Sequence, residues 1–257
     1  MKSTGSRVQI ARTSGARLGS TGSLATATIG DGRRWPTILT ILALLAALVA
    51  VPLIVLSSIA PAALADYRLE GYRAPGCIRF VVLRDQSGSM STFADAREKT
   101  TDQLVRWIAT PDVLRDDDEL AVIDWAGSAA VAMPVTRIAD LSGTTPGTAS
   151  GLSDGTDINV AAEAVAGLPE STCGVALVLL TDGESDPLRA ASAEALARAG
   201  VTSVMTIVPS GASLPSSWTD DFPYGDVRTA SADDVDGNAK AIAEAISLAT
   251  GQRLVSR

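Results

Sequence analysis

Beyond residue 77 the chain alternates aliphatic runs with helical patterns, which limits the folds open to it. VALVLL at 175–180 is continuously apolar and reads as a strand buried on both faces, the kind found in parallel sheets covered by helices. IRFVVL at 78–83 and VTSVMTIV at 201–208 read as further strands. Between them, Phe93, Ala96, Thr100, Leu104, Trp107 and Ile108 recur at three- and four-residue spacing, one face of a helix. Ile158, Ala162 and Val165 mark a shorter helix. Pro187 to Ala199 reads as a helix opened by proline and closed by Gly200, and Ala239 to Ala249 as another that ends before Gly251. LAVIDWA and AAVAMPV flank Gly127-Ser128 and read as a hairpin, and a short strand is expected near Val227. The expected fold class is α/β, a doubly wound, mainly parallel sheet over residues 77–257.

The first 76 residues have a different character. Residues 1–35 are rich in Ser, Thr and Gly, carry six bases against the single acid Asp31, and read as a disordered basic tail. Residues 36–65 hold a charge-free apolar stretch, nineteen residues of it from Ile38 to Leu56, long enough to cross a bilayer as one transmembrane helix. The bases ahead of it place the N-terminus in the cytoplasm and everything after Ala65 outside. Two outcomes share that topology: a retained membrane anchor, or secretion after cleavage behind the Ala-x-Ala of PAALA at Ala65. Residues 66–76, DYRLEGYRAPG, read as a polar stalk.

In a parallel sheet, ligands collect at the carboxyl edge where the strand order reverses. Three oxygen-rich loops are expected there: Asp85-Gln86-Ser87-Gly88-Ser89 after the first strand, SDGTDIN with Thr156 before the short helix, and TDGES with Asp182 after VALVLL. Hydroxyls and carboxylates with no thiol or imidazole select a hard cation, Mg²⁺ or Mn²⁺, with Ca²⁺ also admissible, rather than zinc. Taken singly, the same residues also serve as turn formers and helix caps. The whole chain has 21 Lys and Arg, 29 Asp and Glu, and no His. With six bases and one acid in the tail, the remainder holds 15 bases and 28 acids, which argues against a nucleic-acid partner. The absence of His removes a Ser-His-Asp triad and the commonest general base.

These three loops, in this order within this alternation, resemble the von Willebrand factor type A domain and its metal-ion-dependent adhesion site: DQSGSM, GTDIN and LLTDGES over about residues 78–250. The resemblance implies a Rossmann-like fold. Ser87, Ser89 and Thr156 would ligate the ion directly or through water, with Asp85 and Asp182 acting partly through water. One coordination position is then left for a Glu or Asp of a protein partner. Arg84 departs from the pattern, since an apolar residue is usual before the first aspartate. The expected function is a membrane-tethered extracytoplasmic binding module, not an enzyme. The alternatives are a metal-dependent hydrolase and an accessory subunit of a membrane-associated complex. The family's sheet order also makes the first strand and VALVLL parallel neighbours, which would bring Cys77 and Cys173 together at the edge opposite the metal. An exported domain allows them to form a disulfide, and two buried free thiols are the alternative.

Overall fold

The odd and even residues of the first long strand go to opposite faces, and the whole domain is built on that division. The computed structural model describes residues 63–257 except 213, 223, 224 and 232. The basic tail and all but the last three residues of the apolar segment 36–65 lie outside this range. Among the described residues no helix is long and apolar enough to cross a membrane.

The strands are β1 (Tyr67–Glu70), β2 (Ile78–Asp85), β3 (Glu119–Trp125), β4 (Ala129–Arg137), β5 (Gly174–Leu180), β6 (Val201–Pro209), β7 (Gly225–Ala230) and β8 (Arg253–Ser256). The helices are α1 (Ala94–Ile108), α2 (Ile158–Ala166), α3 (Ala190–Arg198), the single turn α4 (Trp218–Asp221) and α5 (Val235–Thr250). Six strands form the main sheet in the order β4-β3-β2-β5-β6-β7, and only β4 runs antiparallel. Phe80 and Val82 join Leu104, Ile108, Ile242 and Ile246 in a core beneath α1 and α5. Val81 and Leu83 join Ile158, Ala162, Leu196 and Trp218 beneath α2, α3 and α4. Strand order reverses between β2 and β5, so the crevice that collects ligands in such sheets lies at their carboxyl ends.

Three local expectations are corrected. Residues 66–76 are not a stalk: β1 pairs antiparallel with β8 at the other end of the chain, from Tyr67 opposite Ser256 to Glu70 opposite Arg253. Leu64 and Leu69 are buried in the α1–α5 core, and Arg73 forms a buried ion pair with Asp118. The domain therefore begins near Leu64, ahead of residue 77. Helix α3 begins at Ala190 rather than Pro187, because the Leu188 and Arg189 amides donate to the side chains of Asp221 and Asn159 instead of starting a helix. Helix α5 starts four residues earlier than expected, at Val235, where Asp234 caps it by accepting from the Gly237 amide.

The expected cysteine pairing is present. Cys77 and Cys173 form a disulfide with Cα atoms 4.7 Å apart. They stand in direct register, since Ile78 lies opposite Gly174 and the Gly174 amide donates to the Cys77 oxygen at 3.2 Å. The same offset continues along both strands to Arg84 opposite Leu180 at the carboxyl edge. There Asp85 lies level with Thr181, one residue short of Asp182.

Candidate metal centre

The loop after β2 turns at once. Asp85 Oδ1 accepts from the Ser87 amide at 2.8 Å, and the Gln86 amide donates to the Trp125 oxygen at 2.7 Å. This brings the Ser87 and Ser89 hydroxyls to 3.2 Å of each other. Ser87 is buried and Ser89 exposed, so the pair spans the surface of the crevice. Asp85 Oδ2 accepts from the Thr181 hydroxyl at 2.7 Å, which ties the first loop to the end of β5.

The other two loops are held by close backbone packing. A Cβ on Gly127 would lie 2.1 Å from the Asp154 oxygen, so only glycine lets the 153–157 segment dock on the hairpin turn. That docking is sealed by the Gly127 amide on Ser153 oxygen at 2.9 Å and the Asp157 amide on Ala126 oxygen at 3.0 Å. Thr156 follows from it, half-buried, with its backbone oxygen accepting from the Asp186 amide and the Ser185 hydroxyl, each at 3.3 Å. In the third loop Asp182 Oδ1 accepts from the Glu184 amide at 3.0 Å. Gly183 sits there at φ +77°, a backbone region that disfavours side chains.

All three loops thus meet at the carboxyl edge, linked through Asp85–Thr181 and Thr156–Ser185. Burial raises the Asp85 carboxyl above its ordinary value. Hydrogen bonds from Ser87 and Thr181 oppose that rise, and the negative charge of Asp182 adds to it. Asp85 and Asp182 therefore repel each other across the crevice, which a cation between them would relieve. Among the described residues no group of three or more His, Cys, Asp or Glu could hold a metal. This set has only two carboxylates and relies on hydroxyls, donors that suit a hard ion with few direct anionic ligands. The residues present fit such an ion. Glu184 and Asp154 are exposed loop residues.

Sequence reading missed how the surrounding charges are arranged. Arg84 is 1 % exposed, and its Nε donates to Asp124 Oδ1 at 2.6 Å and its Nη2 to Oδ2 at 2.9 Å. Asp124, fully buried on β3, also accepts from the Ala149 amide at 2.7 Å. The arginine is therefore matched within the sheet. Arg97, on α1, is buried and donates to the Asp85 main-chain oxygen and to Gln86 Oε1. Its position four residues after Phe93, on the buried stripe, was the available signal.

No family model and no curated protein matches the chain. Solved structures do. Proximal thread matrix protein 1 from the mussel byssus aligns at 17% identity with a TM-score of 0.51, covering 74% of this chain and 51% of that one. Another structure of that protein is described with a zinc-occupied MIDAS motif, at 18% identity and a TM-score of 0.48, covering 71% and 48%. BatB from Bacteroides thetaiotaomicron aligns at 20% identity and a TM-score of 0.46, over 67% of this chain and 98% of that one. A von Willebrand factor type A structure from Catenulispora acidiphila aligns at 19% and 0.47, over 72% and 50%. At these identities the likeness concerns the fold alone: the mixed α/β architecture with a mainly parallel central sheet fits the von Willebrand factor type A fold.

Proposed function

We propose that this chain is a von Willebrand factor type A binding module that holds Mg²⁺ or Mn²⁺ through Asp85, Ser87, Ser89, Thr156 and Asp182. The ion supplies an electrophilic position, with Ca²⁺ as the other candidate. The observation that carries this reading is the meeting of three loops at the strand-order reversal, with two hydroxyls 3.2 Å apart beside two mutually repelling carboxylates. Ser87, Ser89 and Thr156 would hold the ion. Asp85, with both oxygens already engaged by Ser87 and Thr181, would hold its water. An acidic side chain of a protein partner takes the remaining position. Hydrolysis is not favoured, because the chain has no His and the carboxylates of the crevice are assigned to the ion.

We further infer that the module is tethered outside the cytoplasm by residues 36–65. The Cys77–Cys173 bridge supports an oxidising compartment. Leu64, fully buried in the core, supports a retained anchor, because cleavage after Ala65 would strip a core side chain. Calorimetric titration of the full chain with Mg²⁺, Mn²⁺, Ca²⁺ and Zn²⁺ tests the metal reading. Mg²⁺ or Mn²⁺ should bind, Asp85→Ala should abolish binding with the circular dichroism unchanged, and equal affinity in the variant contradicts it. A reporter fused after Arg257 should be active only where it folds outside the cytoplasm.

A further inference from the structure

The two edges of the main sheet differ in kind. At one end β4 carries Pro134 and shifts of register against β3, features that spoil an edge as a template for another strand. At the other end β7 keeps an unbroken register with β6 from Gly225 to Ala230, and among the described residues no strand pairs with its outer side. The Ser210 amide donates to the Ala230 oxygen at 2.8 Å, so the even residues of β7 turn their peptide groups toward β6 and the odd residues turn theirs outward. The outward Val227 amide meets no strand and donates to Asp226 Oδ1 at 2.9 Å. Asp226 and Arg228 project on the α5 face, where Arg228 Nη2 lies 2.8 Å from Asp226 Oδ2 and Arg228 Nε lies 3.7 Å from Glu244 Oε2. Val227 projects on the opposite face and is 37 % exposed.

The order Asp226-Val227-Arg228 is complementary to itself read backwards. When a second copy pairs antiparallel across a two-fold axis at Val227, the two Val227 residues exchange both backbone hydrogen bonds. Asp226 of each copy then lies opposite Arg228 of the other, at about 4.5 Å between Cα atoms. Moving the register by two residues either way sets Asp226 against Asp226 or Arg228 against Arg228, so the charges admit one register and reject its neighbours. We propose that β7 is a dimerisation edge: a second copy of this chain adds its own β7 antiparallel, centred on Val227, and joins the two main sheets into one. In the single chain Asp226 closes the edge by holding the Val227 amide. In the pair that amide turns to the second copy, and Asp226 is released to the second copy's Arg228. The inference uses neither the metal reading nor the membrane reading.

The full chain, in mild detergent, is given one new cysteine by Val227→Cys or by Thr229→Cys, with the native pair left bridged. Residues on the axis stand about 5.5 Å apart between Cα atoms, within disulfide reach, whereas Thr229 faces Gly225 and lies roughly 14 Å from its own counterpart. Non-reducing gels after mild oxidation should show a linked dimer for Val227→Cys and a monomer for Thr229→Cys. In sedimentation of chains without the added cysteine, Asp226→Arg should raise the dimer dissociation constant by about tenfold, because like charges then stand opposite. Asp226→Arg/Arg228→Asp should restore the wild-type value, because the swapped pattern is again self-complementary. A wild-type chain that stays monomeric up to about 0.1 mM overturns the inference whether or not the variants fold. So does equal linking at positions 227 and 229, or a double variant with unchanged circular dichroism that dimerises no better than Asp226→Arg. A dimer that Asp226→Arg leaves unchanged overturns it as well, and marks a contact made elsewhere in the chain.

Discussion

The Cys77–Cys173 bridge should stabilise the fold strongly while leaving the metal centre untouched. It joins residues 96 apart in sequence. Closing a loop of that length in the unfolded chain is worth about 4.7 kcal/mol at 25 °C in the chain-entropy model, an upper value where the reduced chain keeps residual structure. For a domain of this size each kcal/mol moves the melting temperature by about 2–4 °C, so reduction should lower it by roughly 9–19 °C. The bridge lies at the amino edge of β2 and β5, and Asp85 lies eight residues further along β2, about 26 Å away at the rise of an extended strand. Urea and thermal unfolding of the oxidised chain, the chain reduced by a phosphine and the Cys77→Ala/Cys173→Ala variant give the loss directly. Mn²⁺ titration of the same three samples gives the second half of the expectation. A loss under about 1 kcal/mol would refute the loop-closure reasoning. A Mn²⁺ affinity that falls with the bridge, in samples still folded, would refute the separation of the two edges.

Asp124→Ala should cost about 3–5 kcal/mol in urea unfolding because it strands Arg84 without its partner, whereas Arg84→Met/Asp124→Leu should recover most of that loss. Leu64→Ala should destabilise the domain by about 2–5 kcal/mol, and a change within error would contradict a domain that begins near Leu64. In chelator, the raised Asp85 carboxyl favours folding fully below its ordinary value of 3.8, and that contribution is lost as pH rises through the higher folded-state value. Asp85→Asn should accordingly match wild type in acid and exceed its stability at neutral pH when no metal is present, as read by urea midpoints across pH.

The parts of the fold that were legible in the sequence have local causes. Buried strands declare themselves as apolar runs, α1 by its three- and four-residue spacing, and the three loops by short oxygen-bearing residues placed where strands end. The pairing of β1 with β8 has no local signal, because its partners lie 183 residues apart at Glu70–Arg253 and 189 at Tyr67–Ser256, and the composition of DYRLEGYRAPG is polar. Leu64 and Leu69 were too few to outweigh that composition. Arg84 looked like a disturbance of the metal site because its counter-charge, Asp124, comes from a neighbouring strand forty residues away. Arg97 was hidden differently: a charged residue on a helix reads as solvent-facing unless something behind the helix accepts it, and here the acceptor is the backbone of the metal loop.

The position of the cation decides whether the three loops form one metal centre. A crystal of the domain grown with Mn²⁺, measured at the manganese absorption edge, gives that position directly from the anomalous signal. One dominant peak is expected between the loops after β2 and β5, about 2.1–2.3 Å from the Ser87 and Ser89 hydroxyls, with Thr156, Asp85 and Asp182 bound directly or through water. No peak there, or a dominant peak held by other residues, contradicts it.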